Sequence, residues 1–346
     1  MRIPGVKSLR RWSRLSSGWV KSRFVNTALI LAYHRVAEVE SDPYSLCVTP
    51  QRFAEQLDVL RQYSHPMRLQ QLTGALATGN VPERSVALTF DDGYNDNLYN
   101  GKPLLERYQL PATVFVTTGF LGREFWWDEL DRVLPLNGPL HKPLCFRVNG
   151  RNYQWDLNRY ADRVRNGIAS SSRQSLLGSL HKLLRTLPEE ERQNVMKQIR
   201  SWSVSAPKTL PRHVAVTPAE IIRLAEGTLV EVGAHTVTHP FLATLPADVQ
   251  RTEIQTSKAQ LEKILSQPVL SFSYPNGSTS AASATIVRQA GFSCACASTS
   301  DVAWRGSDRF RLPRLWVPNW DGVTFSRWLF KWWRRRSEIN GIGAAR

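Results

Sequence analysis

The chain has little cysteine, little histidine, no long apolar run and, in a basic stretch near each end, no acid at all. Each shortage removes a class of protein. Four cysteines (Cys47, Cys145, Cys294, Cys296), the last two one residue apart, do not make a disulfide framework. Cys294-x-Cys296 has the look of a metal pair, but small buried residues on a strand account for it more simply. The apolar run Ala28 to Tyr33 is far too short to cross a bilayer. The basic N-terminus does not lead into the apolar stretch of a secretory signal, because Lys21, Arg23, Asn26 and Thr27 interrupt it. The expectation is therefore no export by a standard signal, and a cytoplasmic location. No internal repeat or low-complexity tract is visible.

What is present in excess is positive charge. The 346 residues carry a formal net charge of +16, placed unevenly. Residues 1–24 hold Arg2, Lys7, Arg10, Arg11, Arg14, Lys21 and Arg23, and residues 327–336 hold Arg327, Lys331, Arg334, Arg335 and Arg336, with no acid in either stretch. The middle is only mildly basic. A nucleic-acid groove needs its charge on the folded body, so a nucleic-acid partner is not expected. Hydrophobic residues at 42% and charged residues at 21% describe an ordinary globular chain, long enough for one large α/β core.

Short apolar runs alternate with helical patterns. Ala28 to Tyr33, Ser85 to Phe90 and Pro111 to Val116 read as buried strands, and Thr49-Pro50 opens a helix that places Phe53, Leu57 and Leu60 on one face. From about Phe125 to His213 the pattern changes to a helix start at Trp126-Trp127, a hairpin-like piece around Asn149-Gly150 and polar, Arg-rich helices, which reads as an insertion. Alternation resumes with a capping box at Thr217 and Glu220, the strand Leu229 to Val232, a helix over about 246–266, the strand Val269 to Ser273 and a helix closed by Gly291. The expected layout is a basic segment at 1–25, an α/β domain at 26–325 with an insertion at about 125–213, and a basic Trp-rich segment at 326–346. Strands and helices in this order predict parallel pairing in a sheet or barrel.

Three segments put polar groups just past an apolar strand, and in a parallel barrel such ends share one face. In Thr89-Phe90-Asp91-Asp92-Gly93, adjacent carboxylates repel unless a cation sits between them; a metal would take one and leave the other to accept a proton, although the string reads equally as a turn. In His235-Thr236-Val237-Thr238-His239, histidines four apart suit one face of a helical turn and one divalent ion, against the alternative of unrelated capping histidines. With Asp92 they form a two-His, one-carboxylate set with open positions, a catalytic type of site. In Ser273-Tyr274-Pro275-Asn276-Gly277 a strand runs into a turn whose backbone N–H groups suit an oxyanion. Trp126 and Trp127 suit either sugar stacking or packing.

Thr-Phe-Asp-Asp-Gly, His-x-x-x-His-Pro and Tyr-Pro-Asn-Gly, in this order, resemble the motifs of the polysaccharide deacetylases with a NodB homology domain. Ala32-Tyr33-His34-Arg35-Val36 resembles the branch of that family whose first strand carries a Tyr-His pair. The resemblance implies a distorted (β/α) barrel with a mainly helical insertion, and hydrolysis of an N-acetyl or similar N-acyl group on an amino-sugar glycan. Carried across residue by residue, it implies Asp91 as catalytic base, Asp92, His235 and His239 as ligands of a divalent metal ion (Zn2+), and Tyr274, Pro275, Asn276 and Gly277 as the substrate-facing turn.

The chain departs from the family pattern in two places. No histidine follows His239, so the C-terminal Leu-x-His motif that supplies an acid in many members is missing; His34 is the candidate replacement, with a structural core histidine as the other reading. Ser273 stands where the third motif often has arginine, and Arg314 is the candidate to hold Asp91 ionised. These losses keep open a catalytically impaired, membrane-associated glycan-binding protein. The aromatic and cationic residues of 325–336 fit an interfacial helix on an anionic membrane surface, at the inner face, or else a docked C-terminal helix.

Overall fold

The computed structural model describes residues 27–134, 143–148, 150–155, 172–203 and 213–334. The N-terminal basic segment, Arg335 and Arg336 lie outside the described residues. The long strands are β1 (Ala28–Tyr33), β5 (Ser85–Phe90), β6 (Ala112–Val116) and β9 (Val230–Ala234), joined by the shorter β4 (His65–Pro66), β10 (Ser271–Ser273), β11 (Cys294–Cys296) and β12 (Leu315–Trp316). They form one eight-stranded sheet, ordered β11-β10-β9-β6-β5-β1-β12 with β4 beside β5, and every pair is parallel. β2 (Arg35–Val36) pairs with β3 (Cys47–Val48) outside it. The seam between β11 and β1 is closed by irregular chain: Leu312 N–H donates to Ala295 O, and Ala297 N–H to Leu312 O, before β12 joins β1. The result is a distorted (β/α) barrel.

Side-chain alternation explains why these strands read as continuous apolar runs. One face (Leu29, Leu31, Val86, Leu88, Val114) packs under the outer helices, and the other (Ala28, Ile30, Ala87, Phe115, Cys294, Cys296) forms a second apolar cluster. The four cysteines are free, and Cys294 and Cys296 are buried on β11. Gly233 is required on β9, since a side chain there would run into the Phe115 ring.

Helices α1 (Pro50–Tyr63), α2 (Leu69–Thr78), α3 (Lys102–Tyr108), α7 (Pro218–Ala225), α8 (Ala247–Leu265) and α9 (Ala281–Gln289) lie between the strands in sequence. Their ends follow the expected chemistry: the Thr49 hydroxyl accepts from Arg52 N–H, and Thr217 and Glu220 cap α7 reciprocally. The insertion consists of α4 (Trp126–Val133), the antiparallel hairpin β7 (Leu144–Val148) and β8 (Arg151–Trp155), α5 (Ser172–Leu184) and α6 (Glu189–Trp202). It buries its own cluster of Trp126, Trp127, Leu130, Phe146, Leu176, Leu180, Met196 and Ile199, separate from the barrel core.

The last described element is α10 (Gly322–Arg334), which buries Phe325 and Leu329 in the barrel cluster and half-buries Trp328, Trp332 and Trp333 beside them. Its described part is thus a docked helix, with Arg327, Lys331 and Arg334 exposed. Among the described residues no helix is long and apolar enough to cross a membrane.

Candidate metal centre and active-site cleft

The strand register brings the functional residues to one rim. Tyr33 is level with Phe90, so His34 and Asp91 leave the barrel side by side. Sheet hydrogen bonding continues past the strand ends: Asp91 N–H donates to Tyr33 O, and His235 N–H to Val116 O, each at 3.0 Å. Asp92, Thr236, His239 and Asn276 all adopt left-handed backbone, with φ of 71°, 65°, 58° and 55°. Left-handed non-glycine residues cost free energy and gather where surrounding contacts enforce a functional geometry. Gly93, with φ 80° and Val116 standing where a side chain would press, completes the turn after Asp91 and Asp92.

Asp92 Oδ1 lies 3.3 Å from His239 Nε2 and 3.6 Å from His235 Nε2. The three donor atoms lie within 4.8 Å of one another. The residues fit a divalent ion on three counts. Asp92 Oδ1 is buried with no hydrogen-bond partner among the described residues. His235 Nδ1 is 2.8 Å from Ser273 O, so that nitrogen carries the proton and Nε2 presents its lone pair to Asp92. Burial lowers the pKa of both imidazoles, and burial together with the charges of Asp91 and Asp128 raises that of Asp92 well above the usual carboxylate range. A cation is the partner this polar cluster lacks.

Asp91 is held differently. Burial opposes its ionisation, but Arg314 donates to both carboxylate oxygens, at 2.7 and 2.6 Å, and holds it below the usual range. Arg314 is itself buried and anchored on Ala297 O, Thr89 Oγ1 and Ser273 Oγ. His34 lines the cleft, its ring 5.0 Å from that of Trp316. Burial, with Arg314 and His235, pulls His34 down to about 4, against the opposing effect of Asp91. Of the turn residues only Asn276 lines the cleft. Tyr274 is fully buried, its hydroxyl donating to Phe310 O, Pro275 is buried too, and Gly277 lies where a side chain would strike Ser298.

These groups floor a cleft of about 460 Å³. Tyr44, Trp126, Trp127, His181 and Arg185 stand on one side of it, and Ser298, Ser300 and Trp316 are also in its lining. The sequence profile of the family described as polysaccharide deacetylase matches residues 78–135 and 180–295, about half of the chain. The chain belongs to the polysaccharide deacetylase family. A poly-β-1,6-N-acetyl-D-glucosamine N-deacetylase of Staphylococcus aureus is 32% identical over 115 residues, a stretch covering 29% of this chain and 39% of the relative. The chain therefore matches well under half of that curated relative's length. IcaB from Ammonifex degensii shares the fold at a TM-score of 0.57 and 19% identity, over 88% of this chain and 97% of that one. The Streptococcus pyogenes deacetylase PplD does so at 0.53 and 19%, over 89% and 99%.

In this member of the polysaccharide deacetylase family the two histidines are not on a helical turn. His235 to His239 is an irregular loop after β9, and only the left-handed turns at Thr236 and His239 bring the rings together, 5.0 Å apart. Sequence reasoning missed what holds that loop. Glu253 on α8 accepts from the backbone N–H groups of Val237 and Thr238 at 2.8 and 2.9 Å and from the Thr238 hydroxyl at 2.7 Å. Gly119 donates its N–H to Val237 O, and a side chain there would collide with that carbonyl. From the insertion, buried Arg192 pairs with Glu189, lies over Trp126 and donates to Thr238 O at 3.1 Å. Each contact spans a long sequence separation or one turn of an ordinary-looking helix, so no local string announces it.

Proposed function

We propose that this family member is a metal-dependent hydrolase, with Zn2+ as the metal, that removes the N-acetyl group from an amino sugar of a surface polysaccharide or its lipid-linked precursor. The observation that carries this reading is the meeting, on one cleft floor, of an ion-ready Asp92, His235 and His239 set with a carboxylate held ionised beside it. The name of the Staphylococcus aureus relative, an N-deacetylase of an N-acetylglucosamine polymer, supports the amino-sugar substrate.

Asp92, His235 and His239 would hold the ion, which supplies electrophilic activation of the amide carbonyl and acidifies water. Asp91 takes the proton of the attacking water; Arg314 keeps it charged and fixes its two oxygens. The turn at Asn276 faces the cleft where the amide oxygen gains charge. His34, kept neutral in the free protein by burial, relays to the departing amine nitrogen the proton that Asp91 has taken from the attacking water, as the C–N bond breaks, standing in for the missing C-terminal histidine. Acetate release from an N-acetylglucosamine oligomer tests the reading: it should be abolished by chelator and restored by added Zn2+, and its absence in the metal-loaded protein would overturn it.

The same reading places the enzyme on an anionic membrane surface. Support comes from Arg327, Lys331 and Arg334, which are exposed and share one groove of α10 with the half-buried Phe330. Reversing those three charges to Glu should abolish binding to anionic vesicles; undiminished binding would remove this part of the proposal.

A further inference from the structure

Charge in the cleft is not balanced. Its acidic lining residues are Asp91 and Asp92, both on the floor. Asp91 is matched by Arg314, and Asp92 faces two imidazoles in the set that fits a cation. Arg185, exposed in the turn just past the C-terminus of α5, adds a further positive charge to the lining and has no ion pair or side-chain hydrogen bond to a described residue. Its guanidinium carbon sits 5.1 Å from the centre of the Phe241 ring. That contact positions the group without neutralising it. Phe241 follows His239 by two residues, so the guanidinium stands beside the reaction centre rather than on a remote surface.

His181 lies one helical turn before Arg185 and also lines the cleft. Its ring is held between those of Tyr44, at 4.6 Å, and Trp126, at 5.1 Å. Burial and the nearby Arg185 pull it down to about 4, so at neutral pH it is an uncharged imidazole with one N–H to donate. A fixed arginine fork beside a neutral donor suits an oxyanion better than a hydroxyl, because carboxylate and phosphate oxygens take two parallel N–H bonds.

We propose that His181 and Arg185 form an anion subsite, which takes a carboxylate or phosphate carried next to the N-acetylated sugar. The sugar's identity rests on the deacetylase reading; the anion does not. The substrate would then be a uronate-containing glycan or a phosphate-linked amino sugar, and a neutral homopolymer would be a poorer ligand.

Equilibrium binding to the metal-loaded protein tests this with three probes: a neutral N-acetylglucosamine tetramer, a tetramer alternating N-acetylglucosamine with glucuronate, and N-acetylglucosamine diphosphate carrying a short lipid. At least one anionic probe should bind about tenfold or more tighter than the neutral one. Arg185→Gln should collapse that ratio, Arg185→Lys should restore part of it, and added salt should weaken it. The anionic probe that is preferred identifies the source of the charge. Equal binding of all three probes, a failure of all three to bind, or a preference that survives Arg185→Gln overturns the subsite. Acetate release measured alongside keeps the two ideas apart. Preference without release leaves the subsite and removes the deacetylase, while release without preference does the reverse.

Discussion

The cleft floor and the insertion wall are built on opposite terms. On the floor, Asp91, Asp92, His235 and Arg314 are buried at the ends of the parallel strands: Arg314 makes hydrogen bonds to four other residues, and His235 is tied through its backbone to β6 and through its ring to Ser273. On the wall, Tyr44, Trp126 and His181 touch mainly through ring faces, and Arg185 meets a ring in place of a counter-charge. A rigid floor suits bond-making, which tolerates little displacement. A wall of aromatic faces suits choosing among sugars, since it offers area with few fixed hydrogen bonds. The wall is not independent of the floor, because Arg192 on α6 reaches Thr238 in the histidine loop.

The largest effects should come from the floor. Asp91→Asn should lower kcat by about 10²- to 10⁴-fold while metal content stays the same, as read by acetate release and elemental analysis. A comparable loss of metal would mean that the two carboxylates do not have separate roles. Arg314→Met should follow: removing one partner of a buried pair costs about 3–5 kcal/mol, measured by urea unfolding. Wild-type stability from such a variant would show that Asp91 is not held as the structure has it.

Smaller effects separate support from contact. Glu253→Gln should weaken metal affinity by about tenfold, since it loosens the loop that aims His239. Its effect should fall on metal binding far more than on glycan affinity in the metal-saturated enzyme. His181→Ala, on the wall, should raise KM a few-fold and reduce kcat far less than Asp91→Asn. If the wall variant cost as much in kcat as the floor variants, the division between them would fail.

The smallest effect is on acid stability. The folded pKa of Asp91 is depressed, so its contribution is present above the ordinary carboxylate value of about 4 and is lost as pH falls below it. Unfolding of wild type and Asp91→Asn followed below pH 4 should show wild type losing stability faster as acid is added. Parallel curves would contradict the Arg314-held carboxylate.

The floor was legible in sequence because each element is a buried apolar run ending in polar residues, and parallel topology brings such ends together. Asp91, Asp92, His235 and His239 could be picked out for that reason, and Arg314 because the third motif had lost its arginine. The spacing of the histidine pair misled: four residues fit one helical turn, but they also fit a loop with left-handed turns at Thr236 and His239, and only tertiary contacts from Glu253 and Gly119 decide between them. The turn Tyr274 to Gly277 looks substrate-facing throughout from its sequence, whereas side-chain alternation after β10 sends Tyr274 into the core and leaves Asn276 in the cleft. The wall was hardly legible. Its helices looked polar and Arg-rich, because the apolar positions Leu176, Leu180, Met196 and Ile199 are spread thinly among charges.

Metal content of the purified protein is the most direct check on the site. One equivalent of divalent ion per wild-type chain, and none in a folded His235→Ala, His239→Ala double variant, is the expected result. A full equivalent retained by that variant, or none bound by wild type after incubation with Zn2+, would contradict the shared ion on which the chemistry depends.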